Sequence, residues 1–385
     1  MKVKNLLIYM VGAAALVMGF TALAAAQDEA AKQVYDVSAV VSTNVKGVRT
    51  FNPPPAGYNP LTATEQENAV YGFPPRPPQE DAVSYSKWAK AMMAAKNRWN
   101  GNLKVHDFSS TPAKPAQAPA GASDVSATGP SVGYYYNWSG FVNTNTLTKY
   151  SKTSSFYYVV SNFNVPTAQE AFNNYGFETG NICDGLEDIE VNWNGIDGFK
   201  DGNALLQGGT LSAVECSGGS TATGYESWIE WYPAYPILGA FGVNPGDDFF
   251  VETWDTSATQ GYVYLDDETT QTYATYSITS NGGPGLIGNS AEYIVERPCC
   301  EDGYYYPLAN YVQDFWAPDD VAYTFYENSH GLASVYYPGS TSTATVLAIM
   351  VNDADSQNIS VPSALGKYGI FFEDENCAYV GGCAL

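Results

Sequence analysis

The sequence predicts an all-β protein, an antiparallel double-sheet β-sandwich preceded by a small, partly helical segment. Three observations predict it. Aromatic and β-branched runs of strand length recur from residue 155 onward. Gly- and Pro-rich turns separate them, as in NPGD before Asp248, SNGGPG around Gly282 and YPGSTST after Tyr336. Outside the N-terminus only one stretch carries helical spacing: SYSKWAKAMMAAKNRW, between Asp81 and Asn100, with Trp88, Met92 and Ala95 in register.

In chain order, residues 1–26 read as a cleavable export signal. Lys2 and Lys4 precede an apolar stretch from Leu6 to Leu23, and Ala24-Ala25-Ala26 supplies small residues for cleavage before Gln27. The product is expected to be secreted, extracellular or periplasmic, and free of the membrane once the signal is removed. Residues 27–108 hold two Pro-rich turns, the helix and nine basic residues between Lys32 and Lys104. Residues 109–131 are rich in Pro, Ala and Ser and read as an exposed linker. Residues 132–385 supply the strands SFYYVV, SWIEWY, DFFVETW, GYVYLD, QTYATYSI, AEYIVE, VAYTFY, LASVYY and TATVLAIMV. No repeat period interrupts them, and the length suits one sandwich domain. A segment, a linker and a globular domain fit either a pro-enzyme or a plain accessory segment on a spacer.

Charge narrows the partners. The chain carries −23, and the region from Val132 onward holds 31 acidic against five basic residues. Nucleic acid and anionic membranes are therefore excluded as partners. Self-repulsion falls as carboxylates protonate, which fits an acidic working medium and equally a merely soluble surface. Six cysteines in an exported chain point to disulfides. No CxxC spacing occurs and only two histidines are present, so no metal or other cofactor is expected. Cys183 with Cys216 would brace the segment holding Trp193 and Gln207. Cys377 with Cys383 would close a C-terminal loop, and Cys299-Cys300 stay unassigned.

Several polar residues lie on otherwise apolar strands. Alternation puts Glu292, Ile294 and Glu296 on one face of AEYIVE, and Glu230 with Trp228 and Tyr232 on one face of SWIEWY. Trp193 shares a face with Asp197, and Asn203 with Leu205 and Gln207. Amide hydrolysis needs a base for water, a donor for the oxyanion and an acid for the leaving amine. A desolvated carboxyl group can serve as base and acid, and a primary amide can donate to the oxyanion without histidine.

Four segments in this order resemble the glutamic peptidases, the eqolisin family: NWSGFV (Asn137 to Val142), WNGIDG…LLQGG (Trp193 to Gly209), YESWIEWYP and AEYIVE. The resemblance implies a secreted, monomeric, acid-acting endopeptidase on a concanavalin-like sandwich, with residues 27–108 as its pro-segment. It implies Gln207 as the oxyanion-stabilising amide and Glu292 as general base and acid, with Trp193, Asp197 and Glu230 in support. Substrates would be proteins or peptides. The chain departs from the family at Gly208-Gly209, where Thr-Gly is usual and a changed substrate-facing turn is expected. It departs also at Tyr293, where Trp is usual, and at Arg297, where an acid is common. The charge contrast predicts that the basic segment is a lid over the acidic cleft, released as carboxylates protonate and cut in the linker at 109–131.

Two further readings stay open. LEDIEVNW, with Asp188 and Glu190, is faintly similar to the acidic strand of β-sandwich glycoside hydrolases. The abundant Tyr and Trp residues could line a sugar-binding face of a non-catalytic carbohydrate-binding module. The sequon Asn137-Trp138-Ser139 reads as structural.

Overall fold

The structure, a computed structural model, describes residues 39–77, 79, 81–106, 131–170, 183, 185, 187–200, 203–301, 304–311, 313–317, 320–327, 333–336, 345–351, 358–363 and 370–374. The export signal, the linker at 109–130 and the Cys377–Cys383 pairing lie outside the described residues.

The N-terminal segment forms β1 (Val40–Ser42), β2 (Val48–Phe51), α1 (Glu65–Val70), α2 (Ala82–Ala94), β3 (Asn97–Arg98) and β4 (Lys104–Val105). Helix α2 starts where Asp81 accepts from the Ser84 N–H, and it buries Trp88, Ala91 and Met92. It stops at Ala95 because the next residues, Asn97 and Arg98, pair with the sandwich edge. Helix α1 was not expected. Its capping box, Thr64 with Glu67, is visible in the sequence as T-x-x-E.

The sandwich follows as β5 (Ser131–Tyr135), β6 (Trp138–Thr144), β7 (Phe156–Asn164), β8 (Glu187–Ile196), β9 (Leu205–Ser217), β10 (Ser220–Tyr232), β11 (Ile237–Gly242), β12 (Asp248–Ser257), β13 (Gln260–Asp267), β14 (Thr272–Thr279) and β15 (Ser290–Glu296). Beyond a short hairpin of β16 (Cys299–Glu301) and β17 (Tyr304–Tyr305) come β18 (Gln313–Trp316), β19 (Val321–Glu327), β20 (Ala333–Tyr336), β21 (Thr345–Val351), β22 (Asn358–Pro362) and β23 (Ile370–Asp374).

The first sheet runs β11-β10-β9-β8-β15-β6-β21, antiparallel throughout, and β5 joins β21 in parallel. The second runs β19-β7-β12-β13-β14-β2-β1. The two are joined along one edge through β22, β23 and β18. The predicted double-sheet sandwich is therefore the observed architecture.

Strict alternation creates three apolar layers. Between the sheets, Leu206, Ile229, Trp231 and Tyr293 of the first meet Phe163, Val251, Val263 and Leu265 of the second. The outer face of the second sheet packs under the N-terminal segment. The outer face of the first sheet, with Trp138, Val191, Trp193, Leu205, Trp228 and Ile294, carries the third cluster.

Candidate active site

The outer face of the first sheet opens into a cleft of about 510 Å³, lined by Val191, Leu205, Gln207, Leu211, Trp228, Glu230, Tyr232, Pro236, Leu238, Glu296 and Pro298. Three polar side chains converge on an otherwise apolar and aromatic wall, as expected of a ligand site. The three come from β9, β10 and the end of β15.

Gln207 and Glu230 are direct cross-strand partners. The Gln207 Nε2 donates to Glu230 Oε2, while Gln207 Oε1 is buried without a hydrogen-bond partner. Glu296 accepts from Trp193 Nε1 at 2.8 Å and from Asn137 Nδ2 at 3.2 Å. Trp193 is itself fully buried and packs edge-to-face on Trp138, 4.9 Å between centroids. It thus supports Glu296 from behind and does not line the cleft.

The environment holds protons on this pair. Burial raises the Glu230 carboxyl group to about 8, the Glu296 charge adds to this, and the Gln207 amide opposes it. Burial raises Glu296 to about 7, against the donors from Trp193 and Asn137. Glu296, with two donors, is the better supported as a carboxylate.

Glu292 was expected here, and the structure places it elsewhere. The register does set Glu230, Gln207, Gly195 and Glu292 in one cross-strand row. However, the space over Gly195 is filled. A Cβ there would meet Leu205 Cδ1 at 2.8 Å and Trp193 Cζ3 at 3.1 Å. Leu205 and Trp193 wall Glu292 off from Gln207, and Glu292 is 0 % exposed and absent from the cleft lining. Burial pushes its carboxyl group well above the ordinary range. Glu296, two alternations further along the same face, takes the position assigned to Glu292.

Asp197 also lies outside the cleft. It adopts φ 70 and accepts from the backbone N–H groups of Ile287, Gly288 and Asn289, tying the end of β8 to the turn before β15. Its part is to hold the strand that carries Glu296. The disulfide between Cys183 and Cys216 forms as expected and braces β8 and β9.

The family departures take specific places. A Cβ on Gly208 would strike Val263 Cγ1 at 2.4 Å, so this residue faces the second sheet and not a substrate. A Cβ on Gly209 would lie 1.8 Å from the Asn192 carbonyl oxygen, so close backbone approach requires glycine there. Arg297, 3 % exposed, donates through Nε to the Tyr136 carbonyl at 2.6 Å and sits 5.0 Å from the Tyr305 ring centroid. Asn137 of the sequon is 1 % exposed and bonded to Glu296.

The acids behind the glycoside hydrolase reading do not reach this cleft. Asp188 and Glu190 are 4 % and 0 % exposed and alternate with Ile189 and Val191, so they point between the sheets. There Glu190 lies within the field of Asp314. Among the described residues no group of three His, Cys, Asp or Glu is placed to hold a metal ion.

The Peptidase A4 family model matches residues 136–354, more than half of the chain. Among solved structures, a scytalido-glutamic peptidase with a transition state analog inhibitor aligns at 21% identity and TM-score 0.46, covering 62% of this chain and 98% of that one. SCP-B, an eqolisin family member complexed with the tripeptide Ala-Ile-His, aligns at 20% identity and TM-score 0.42, covering 62% and 98%. The aspergilloglutamic peptidase of Aspergillus niger aligns at 24% identity and TM-score 0.38, covering 49% and 99%. No curated protein matches the chain.

Proposed function

Because the chain belongs to the peptidase A4 family, we propose that its cleft hydrolyses peptide bonds with Gln207 and Glu296 as the working pair. Membership makes the chain a glutamic endopeptidase, a hydrolase acting on proteins or peptides. The observation that carries the assignment of residues is the convergence of Gln207, Glu230 and Glu296 on one apolar cleft.

In the proposed reaction, ionised Glu296 takes a proton from water as the water oxygen bonds to the scissile carbonyl carbon. Negative charge moves to the carbonyl oxygen. The second Nε2 hydrogen of Gln207, not engaged by Glu230, donates to that oxyanion. When the tetrahedral species collapses, the C–N bond breaks and Glu296 returns the proton to the leaving nitrogen. Glu230 orients the Gln207 amide and keeps its own proton. The working form is the pair with one proton, which sets activity between the ionisation of Glu296 near 7 and that of Glu230 near 8. We also place the enzyme outside the cytoplasm, on the strength of the N-terminal signal. An exported protein whose N-terminus is not Gln27 would remove that cleavage assignment.

Cleavage of an unfolded protein substrate, followed from acid to alkaline pH, tests the site. Gln207→Ala and Glu296→Gln are each expected to lower kcat by about a thousandfold or more with the fold intact. Glu292→Gln is expected to retain activity within a few-fold. Near-normal turnover by Glu296→Gln, or loss confined to Glu292→Gln, would overturn the assignment.

A further inference from the structure

The N-terminal segment buries an apolar face that has nothing to do with the cleft. Phe51, Phe73, Trp88, Ala91 and Met92 are each at most 2 % exposed. They pack on the aromatic outer face of the second sheet, against Phe250, Trp254, Tyr262 and Tyr273 among others. Strand pairing adds to this on the second sheet, β2 with β14 from Val48 to Thr50, while β4 pairs at Lys104 and Val105 with β11, the edge strand of the first sheet. Under the helix Lys87 is paired with Asp320, their side chains 6% and 0% exposed.

This is not how a lid sits. No residue of 39–106 lines the cleft, which opens on the other sheet. The segment does reach the rim, where Lys104 pairs with Leu238 and the His106 N–H donates to the Pro236 carbonyl at 2.9 Å. The basic helix expected to cover the acidic cleft is therefore on the opposite side of the sandwich.

We propose that the outer face of the second sheet is a docking surface for residues 39–106, and that this segment stays bound as a separate chain when the connection at 107–130 is cut. Its loss would expose a contiguous aromatic patch that includes Phe250, Trp254, Tyr262 and Tyr273. It would also break the Lys87–Asp320 ion pair, which is buried between the two parts. None of these contacts uses the connection, which only raises the local concentration of the two parts. The ion pairs of Lys90 with Asp248 and Glu268, and of Lys104 with Glu226, have lysines 60% and 71% exposed. They add little, so salt does not release the segment.

The test uses the full chain with a recognition site for a sequence-specific protease inserted within 107–130. After cutting, both pieces are run by size exclusion at neutral pH in about 1 M sodium chloride, where exposed ion pairs are screened. Co-elution in equal amounts is expected, with separation only in denaturant. Trp88→Ala should release the cut segment, with affinity at least about tenfold weaker, whereas Lys90→Ala should not. A segment eluting apart from a folded remainder in the unsubstituted protein would overturn the proposal. Peptidase activity is read on the same samples. Cut and uncut protein should agree within about twofold, and a rise of about tenfold on cutting would restore the lid. Elution reports on docking even if the assigned catalytic residues are wrong, so the two readings fail separately.

Discussion

Gln207 has four hydrogen-bonding positions, and the structure occupies one of them with Glu230. A side-chain amide on a strand is free to swivel about its terminal torsion, so the Glu230 bond decides which N–H points outward. Glu230→Gln removes the upper ionisation of the pair and replaces a carboxyl acceptor by an amide whose own NH2 competes for the orientation of Gln207. We expect turnover to fall about ten- to a hundredfold and the alkaline limb of the pH–rate profile to move up or vanish. An unchanged alkaline limb would assign that ionisation to another group. Asp197 is a separate case. It satisfies three backbone donors and does not touch the cleft. Asp197→Ala leaves those donors buried and unpaired, and we expect a loss of roughly 3–5 kcal/mol in denaturant melts. A loss of activity without a loss of stability would contradict a purely holding role.

At the scale of elements, β8 and β9 deliver the site. Ten cross-strand pairs run from Glu187–Glu215 to Ile196–Leu206. The disulfide ties Cys183, just before β8, to Cys216 near the end of β9, across a separation of 33 residues. A loop of that size corresponds to roughly 3–4 kcal/mol of denatured-state entropy. Replacing both cysteines with serine should lower the unfolding free energy by about that amount. Equal stability with and without reductant would show that the pairing contributes nothing.

At the scale of the whole molecule, the interior is rich in carboxyl groups that burial holds protonated. Glu252, Asp255 and Asp266 are pushed well above the ordinary range by burial, and Glu268 and Asp314 to about 7. The unfolded chain would release these protons near pH 4, and the folded chain only near or above neutrality. Between those limits the folded state binds more protons, so stability falls as pH rises. Asp248 acts in the opposite sense: burial raises it, but the bonds from Lys90, Glu268 and Asn162 with the Lys90 charge together hold it low. Its contribution is lost only on acidification below the usual carboxylate range. We therefore expect the melting temperature to decline steadily from pH 4 to pH 8, even in about 0.5 M salt that screens surface repulsion. A melting temperature that climbs over that range would overturn this.

The sequence by itself determined the two-residue period of the strands, the one long helix and the face on which each polar residue lies. These follow from local geometry: alternation, capping and turn chemistry act between near neighbours. It also placed Glu292 and Glu296 on a single face, and there it could go no further, because alternation makes the two equivalent. Tertiary structure separated them. Leu205 and Trp193, from neighbouring strands, fill the space over Gly195 and close Glu292 in, while the Trp193 indole turns to Glu296 at the open end of the cleft. The position of the basic helix was decided in the same way. Its charges suggested an acidic cleft, but its apolar stripe of Trp88, Ala91 and Met92 found the aromatic back of the second sheet. Burial of a continuous apolar face outweighs a few exposed ion pairs, and which face is available is settled only when both sheets are built.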